Sequence, residues 1–205
     1  MTEAERLRRY GAATVLEAGG DEVGWLRGLH PVWSPAELAG PAFTVAALPT
    51  DNLPLHRALA ECPPGVVLVA ATGATVETAI WGEVLTVAAI ERGVHGLVTD
   101  GAVRDVRRIR DLGFPVFAAQ TTPAGPTKQT PGELAVPVTL AGVEVQPGDW
   151  IVADDDGVVV LASSALERTL REAHDRSARE TGLMERIRAG ELTVDLLGLR
   201  ERMRS

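Results

Sequence analysis

Cysteine and lysine are the two residue types that this sequence nearly lacks. Its 205 residues include one cysteine, Cys62, which excludes a disulfide within the chain and a cluster of thiolate metal ligands. The 20 basic residues comprise one lysine, Lys128, and therefore 19 arginines. A reaction that uses a lysine amine as its nucleophile has a single candidate residue in this chain.

Long apolar runs and clusters of basic residues are also missing. No apolar stretch approaches the roughly 18 residues of a membrane-spanning helix. The first residues, MTEAERLRRYG, carry charge where a signal peptide has its apolar segment. The formal net charge is −8, and no basic run could follow a phosphate backbone. We expect a cytoplasmic protein that binds neither nucleic acid nor a membrane.

The composition that remains is typical of a globular α/β protein, and we expect one domain over residues 1–205. Hydrophobic residues make up 45% of the chain, which also has 21 glycines and 13 prolines for turns. Short apolar runs alternate with helical patterns, which predicts parallel strands joined by crossover helices. The predicted strands are 42–48, 65–71, 95–100 and 115–120, and the predicted helices between them are 53–61, 82–93 and the basic segment near 104–112.

The two ends of the chain have a different pattern. A helix is predicted over 3–19, followed by an irregular segment to about Gly40. From residue 134 the sequence predicts β-hairpins with a tight turn at Asp156-Gly157, and a long charged helix over roughly 164–190. We therefore predict a layered, partly antiparallel sheet covered by helices.

A candidate site follows the predicted strand that ends at residue 100. The segment VTDGAVRDVRRIRDLG (98–113) places Arg104 and Asp105 in the first turn of a predicted helix. That end of a helix disfavours a cation but attracts anions, and it lies beyond the carboxyl end of a strand, where α/β sheets usually bind ligands. Arg104 could clamp a carboxylate, and Asp105 could hold a hard cation such as Mg²⁺.

Alternative interpretations of this segment remain open. A buried helical stripe is predicted at Val103, Val106, Ile109 and Leu112, while Arg107, Arg108 and Arg110 form a solvated face. Arg104 could equally be a surface residue paired with Asp100 or Asp111, and Asp105 an acid favoured by the helix dipole.

A second candidate segment is ATGATVETAIWGEVL (71–85). It leaves a predicted strand through a loop and enters a helix at Gly82-Glu83. Gly82 leaves room for a ligand close to the backbone, and the first N–H groups of the helix could bind a carboxylate. Glu83 would lie at the same sheet edge as Arg104. The alternative for Glu83 is a favourable acid in a first helical turn.

The residues at these two segments resemble a known family. The stretch WGEVLTVAAIERGVHGLVTDGAVRDVRRIRDLGFPVFA (81–118) is similar to the family that contains the 4-hydroxy-4-methyl-2-oxoglutarate / 4-carboxy-4-hydroxy-2-oxoadipate aldolases and the regulator of ribonuclease activity A (RraA). The likeness extends almost end to end, through GPAFTV, Asp51-Asn52, LPLHRALAE and GDWIVADDDGVVV in the expected order. It implies a single-domain β/β/α swivelling-type layered sandwich that assembles as a homotrimer or hexamer, with sites between subunits.

The spacing of the motif distinguishes the enzymes from the regulators in that family. Members with lyase activity carry an acid, twenty intervening residues and then Arg-Asp; here Glu83, residues 84–103 and Arg104-Asp105 keep that spacing. The acid is glutamate where the aldolases have aspartate. The ribonuclease regulators lack this acid and the aspartate after the arginine.

The resemblance therefore implies a divalent-metal-dependent class II aldolase or decarboxylase that releases pyruvate from small 2-oxo acids. Arg104 would bind the substrate carboxylate, assisted by the backbone of Gly82, Glu83, Val84 and Leu85. Asp105 would hold Mg²⁺ or Mn²⁺, and Glu83 would order the water that relays a proton. Glu180 would be contributed by a neighbouring subunit; the alternative is a solvated acid on a charged helix.

The scarcity of lysine agrees with metal chemistry. A Schiff-base aldolase needs a lysine of lowered pKa, and Lys128 lies in the Pro/Gly/Thr stretch TTPAGPTKQTPGE. The other interpretation, from a different functional class, is a non-catalytic protein-binding regulator with the same fold.

Overall fold

The computed structural model describes residues 1–203 and shows an α/β fold built on a mixed sheet. The strands are β1 (Val23–Trp25), β2 (His30–Pro31), β3 (Leu38–Ala46), β4 (Val67–Ala71), β5 (Ala79–Trp81), β6 (Gly96–Val103), β7 (Val116–Thr121), β8 (Glu133–Leu134), β9 (Val138–Leu140), β10 (Val143–Val145), β11 (Trp150–Asp154) and β12 (Gly157–Leu161). The helices are α1 (Glu3–Gly19), α2 (Leu53–Glu61), α3 (Glu83–Glu91), α4 (Val106–Asp111), α5 (Leu166–Arg188) and α6 (Thr193–Leu196).

Parallel pairing runs through the middle of the sheet. Within residues 1–203 ten strands form one sheet in the order β1-β12-β11-β3-β4-β6-β7-β2, with β5 added to β6 and β8 added to β3. The neighbours from β3 to β7 are parallel, and β11, β12 and β1 extend the sheet antiparallel. The predicted β-α-β rhythm and the antiparallel portion are both confirmed. As a result, the strands from β3 to β7 end at one edge of the sheet.

Three buried clusters hold the layers together. Helices α2, α3 and α4 cover one face of the parallel strands, where Leu55, Leu85 and Ile109 pack on the sheet. The hairpin of β9 and β10 covers the opposite face through residues such as Val138. Helices α1 and α5 pack on the antiparallel strands, with Leu7 at their centre. Burial of this apolar surface is the main term that stabilises the fold.

The terminal helices and the last hairpin follow the sequence closely. Helix α1 begins with a reciprocal cap in which Thr2 and Glu5 satisfy each other's backbone N–H groups. Asp154 pairs with Gly157 across the turn between β11 and β12, so the predicted hairpin is confirmed, with its two turn residues at Asp155-Asp156, one position before the predicted Asp156-Gly157. Among the described residues, no helix has the length and apolar character needed to cross a membrane.

Several local predictions are wrong. The segment expected to be irregular to Gly40 contains β1, β2 and the start of β3, and residues 79–81 form an unpredicted strand. Strand β6 continues to Val103, so Val103 is buried in the sheet and not on a helix, and Leu112 is exposed. In each case short apolar runs fit a strand as well as a helix, and periodicity alone could not choose.

Candidate active site

The two candidate segments meet because strands β5 and β6 are parallel neighbours. Trp81 is the register partner of Val103, so the two segments leave the sheet at the same edge. The N–H of Arg104 donates to the carbonyl of Trp81 at 2.9 Å, which extends the pairing one residue beyond the strands. Helix α3 and the residues around it form the crossover between β5 and β6. The twenty residues between Glu83 and Arg104 are the rest of α3, its connection to β6, and β6 itself.

Asp105 folds back across the beginning of α3. Its backbone has φ 59 and ψ 31, a left-handed conformation that aspartate tolerates better than most residues. Its Oδ2 accepts a hydrogen bond from the backbone N–H of Glu83 at 3.1 Å and lies 3.5 Å from Nε of Arg104. The carboxylate therefore caps a helix that it does not belong to. Strained backbone of this kind is concentrated at functional sites.

Gly82 is needed because these two side chains cross above it. A Cβ at Gly82 would lie 2.5 Å from Oδ2 of Asp105 and 3.0 Å from Cγ of Arg104. Its φ of −168 is ordinary extended backbone, so space and not backbone conformation requires glycine here. Asp105 and Arg104 thus occupy the position that a Cβ of residue 82 would need.

The predicted position of Arg104 is also wrong in detail. Helix α4 begins at Val106 and Asp105 is its N-cap, so Arg104 precedes the helix instead of lying in its first turn. Neither suggested surface partner is used: Asp100 is buried and bonded to Thr72, and Asp111 pairs with Arg110. The side chains of Arg104 and Asp105 are 42% and 40% exposed, so both are accessible to a ligand.

Free N–H groups lie beside this pair at the start of α3. The first N–H groups of a helix have no acceptor within it. Asp105 accepts from Glu83, and within residues 1–203 the N–H groups of Val84 and Leu85 donate to no acceptor. The Glu83 side chain is exposed. This helix end has the donors and the dipole that bind carboxylates.

Buried side chains fix the position of this edge. The indole of Trp81 stacks on Phe114 with ring centroids 6.1 Å apart and donates from Nε1 to Thr86 at 2.8 Å. On the neighbouring strands, the buried carboxylate of Asp100 accepts from the backbone of Thr72 at 2.6 Å and of Ala74 at 2.9 Å. These contacts hold the ends of β4, β5 and β6 in one arrangement, which preorganises the residues that follow them.

A cavity of about 140 Å³ opens beside Arg104 and Asp105. It is lined by Asn52, His56, Ala79, Trp81, Gly82, Val84, Leu85, Arg104, Asp105, Pro126 and Lys128. Four of the predicted substrate-binding residues and the predicted metal ligand are therefore brought together. Glu83 contributes its backbone to the same edge, but its side chain is not part of the lining.

Three residues of this lining were missed by the sequence interpretation. Asn52 and His56 are one turn apart at the start of α2, and Lys128 lies in the loop after β7. Burial lowers the pKa of His56, and the positive charge of Lys128 lowers it further. The signals were present in the Asp51-Asn52 pair, the following LPLHRALAE helix and the isolated lysine, but no local spacing connects residues this far apart.

Asp51 attaches the lysine loop to the start of α2. Its carboxylate is buried and accepts backbone N–H bonds from Leu53 at 2.9 Å and from Gln129 and Thr130 at 2.8 Å each. Burial alone would raise the pKa of Asp51, but these donors outweigh it and the pKa lies below its ordinary value. Lys128 therefore occupies a defined place in the cavity wall.

Asp51→Asn is expected to destabilise the protein by about 2–3 kcal/mol at pH 7, because the amide replaces charged acceptors with a group that also carries donors. The folded pKa is depressed, so the stabilisation is complete above the unfolded value near 3.8 and is lost as pH falls through the folded pKa. Urea unfolding at several pH values should show that the difference in free energy of unfolding between wild type and variant becomes smaller below about pH 4. Asp111→Asn, at an exposed aspartate, is the control. A difference in free energy of unfolding that grows in acid would contradict the stabilising role of the Asp51 carboxylate.

Glu180 lies apart from the cavity within a single chain. It is on α5, where its carboxylate pairs with Arg176 at 2.9 Å, and Arg176 also contacts Glu17. It is absent from the lining of the cavity around Arg104. A role for Glu180 therefore depends on a second subunit, as the sequence interpretation supposed.

Asp105 is the side chain suited to a divalent cation. In the described part of the chain no three His, Cys, Asp or Glu side chains lie close enough to share a metal ion. Mg²⁺, however, often binds through one carboxylate while keeping several waters. Oδ2 of Asp105 is engaged by Glu83, and Oδ1 accepts no hydrogen bond from residues 1–203. One open oxygen on an accessible carboxylate fits such an exchangeable site.

The fold and this sheet edge define a protein of the aldolase/RraA class. Residues 12–160 match the family model "RraA-like: Aldolase/RraA", and the chain belongs to that family. A protein of Halalkalibacterium halodurans named "Putative 4-hydroxy-4-methyl-2-oxoglutarate aldolase" is 36% identical over 165 residues, 78% of this chain and 79% of that protein. A Burkholderia multivorans protein of the same name is 41% identical over 145 residues, 69% of this chain and 88% of that protein.

A solved structure shares the fold across most of its length. The Streptomyces coelicolor protein RraAS2, "an unusual member of the RNase ES inhibitor RraA protein family", superposes with a TM-score of 0.79 and 32% identity. The match covers 89% of this chain and 95% of that chain. The family and the α/β fold inferred from the sequence are confirmed, and the relatives include both aldolase and regulator names.

Proposed function

We propose that this protein is a divalent-metal-dependent lyase that releases pyruvate from 2-oxo acids, by cleaving 4-hydroxy-4-methyl-2-oxoglutarate-type substrates or by decarboxylating oxaloacetate. One observation supports it above the others: Arg104 and Asp105 lie together over Gly82, beside the free N–H groups of α3. This places a cation, a free carboxylate oxygen and two backbone donors at one cavity. Cleavage of a 2-oxo acid needs the cation and backbone donors to bind the carboxylate, and the carboxylate oxygen to hold the metal ion.

Arg104 binds the substrate carboxylate in this proposal. Its guanidinium can form two parallel hydrogen bonds to a carboxylate, and the N–H groups of Val84 and Leu85 add donors from the helix end. The weak contact with Asp105, at 3.5 Å and partly exposed, leaves the guanidinium free to form them. Substrate is thereby held with its 2-oxo group next to Asp105.

Asp105 holds the metal ion, Mg²⁺ or Mn²⁺. When bound, the ion supplies the positive charge that polarises the 2-oxo group and stabilises the negative charge that develops there during carbon–carbon cleavage. Glu83 has an exposed side chain at the start of α3, and in this proposal it accepts a hydrogen bond from a water that delivers a proton to C3 of the product. Glu180 of a neighbouring subunit is the second acid proposed for this site.

The regulator remains the second candidate function, supported by the likeness to RraAS2. The decisive test is release of pyruvate, followed with lactate dehydrogenase and NADH, from oxaloacetate and from 4-hydroxy-4-methyl-2-oxoglutarate with Mg²⁺ or Mn²⁺. Metal-dependent release from either substrate supports the lyase. No release from either, in a folded and correctly assembled sample, favours the non-catalytic regulator.

A trimer or hexamer of the 21.7 kDa chain is expected by light scattering. Helix α3 exposes Val84, Val87 and Ile90 along one side, an apolar surface next to the cavity that a second copy would cover. Val87→Asp should therefore lower the assembled mass, whereas Val87→Ala should preserve it. A wild-type monomer that turns over substrate would remove Glu180 from the site.

A further inference from the structure

The wall of the cavity formed by α2 and the lysine loop has no role in the function proposed so far. Asn52 and His56 extend from the start of α2, and Lys128 is held beside them by the Asp51 contacts. The carbonyl of Thr127, next to the lysine, accepts from the N–H of Asn52 at 3.1 Å. All three side chains line the same cavity as Arg104.

Asn52 is a buried polar residue of this wall. The residue is 6% exposed, and its Nδ2 donates to the carbonyl of Ile80 at 3.1 Å, which fixes the orientation of the amide. Its Oδ1 is buried and has no hydrogen-bond partner in the described residues. Buried polar atoms are rarely left without a partner, and this one belongs to a residue that lines the cavity.

His56 lines the same wall and is partly buried. Its Nε2 is shielded from bulk solvent and has no partner among residues 1–203. Burial and the nearby Lys128 both lower the pKa of His56, which favours the neutral ring at neutral pH. A neutral imidazole has one nitrogen that can accept a proton. The proposed reaction requires such an acceptor, because cleavage of a 4-hydroxy-2-oxo acid removes the proton of the C4 hydroxyl.

We propose that a ring nitrogen of His56 accepts the C4 hydroxyl proton during carbon–carbon cleavage, with Lys128 binding the substrate's second carboxylate. This inference rests on the lyase function proposed above. The O–H bond breaks and its proton moves to the imidazole, while the C4–O bond becomes a carbonyl. The C3–C4 bond breaks, and its electron pair forms the enolate of pyruvate, which takes up a proton at C3. No electron donor or acceptor outside the substrate is needed.

Decarboxylation of oxaloacetate distinguishes the proposed role of His56 from the roles of Arg104 and the metal. Oxaloacetate loses CO₂ when its C3–C4 bond breaks, and no hydroxyl proton has to be removed at C4. Arg104 and the metal are needed for both reactions, whereas a base at C4 is needed only for aldol cleavage. Removal of the imidazole should therefore lower the rate of aldol cleavage much more than the rate of decarboxylation.

The experiment compares wild type with His56→Gln and His56→Asn, which keep a polar side chain but cannot accept the proton. The control is His30→Gln, at an exposed histidine on β2 outside the cavity. We expect kcat for 4-hydroxy-4-methyl-2-oxoglutarate cleavage to fall by about 10²–10⁴-fold in both His56 variants. Oxaloacetate decarboxylation should stay within about 3-fold of wild type, because general-base catalysis at C4 does not enter that reaction.

Each result has a distinct meaning. Equal losses in both reactions, or unchanged aldol cleavage in a folded His56 variant, would overturn the assignment of His56 while leaving the lyase intact. Wild type that decarboxylates oxaloacetate but does not cleave the hydroxy acid would also overturn it. Wild type that releases pyruvate from neither substrate would overturn the proposed function itself, and this inference with it.

Discussion

Arg104→Ala is expected to lower kcat/KM for 2-oxo acids by about two orders of magnitude, because a broken charge-assisted pair costs roughly 3 kcal/mol or more. The fold should be nearly unaffected. The side chain is 42% exposed, and its ion pair with Asp105 has a long 3.5 Å separation. The two quantities to measure are steady-state kinetics on both substrates and the melting temperature.

Two further variants make this test specific. Arg104→Lys should recover little activity, because an ammonium cannot form the two parallel hydrogen bonds of a guanidinium. Arg107→Ala, at an exposed arginine on α4, is the matched control and should behave like wild type. An Arg104→Ala protein that unfolds, or that retains kcat/KM within a few-fold of wild type, would show that the arginine is structural.

Removal of the metal is expected to abolish pyruvate release. EDTA should stop the reaction and added Mg²⁺ or Mn²⁺ should restore it, because a site made of one carboxylate and waters exchanges its ion readily. Lys128 lines the cavity, so a Schiff-base route has a candidate amine at the right place. Full activity in EDTA, or inactivation by borohydride in the presence of substrate, would favour that route over the metal.

Asp105→Asn separates the metal-binding charge from the structural role of this residue. Asparagine also tolerates the left-handed backbone and can still accept the bond from Glu83, so the fold should persist. Loss of the charge should reduce turnover at saturating Mg²⁺ by about 10²-fold or more, since metal stabilisation supplies several kcal/mol. Asp105→Ala should in addition lower the melting temperature, because it removes the cap of α3. Asp111→Asn is the control, and wild-type kinetics in Asp105→Asn would exclude a metal role.

The relationship between Arg104 and the helix dipole differs from the one that the sequence suggested. Strand β6 runs three residues further than predicted, which moves Arg104 out of the helix and places Asp105 at its N-cap. The arginine therefore avoids the unfavourable helical position. The helix N-terminus that lies next to Arg104 is that of α3, which follows the neighbouring strand β5. Asp105 already supplies a negative charge there.

The sequence by itself determined the alternation of strands and helices, the two long terminal helices, and the choice of Gly82-Glu83 and Arg104-Asp105 as segments that meet at one sheet edge. These features depend on apolar periodicity and on short spacings, which are local properties of the chain. Because parallel neighbours end at the same edge, the order of strands and helices was enough to predict that the two segments meet, although β5 itself was not predicted.

Only the tertiary structure decided how the remaining wall of the cavity is made. Asn52, His56 and Lys128 come together because Asp51 bonds to the backbone of residues 129 and 130, a contact between segments nearly eighty residues apart. Such pairing depends on the packing of the whole sheet and leaves no periodic trace in either segment. The packing of Asp105 against Gly82 has the same origin, since it depends on the positions of two segments that follow different strands.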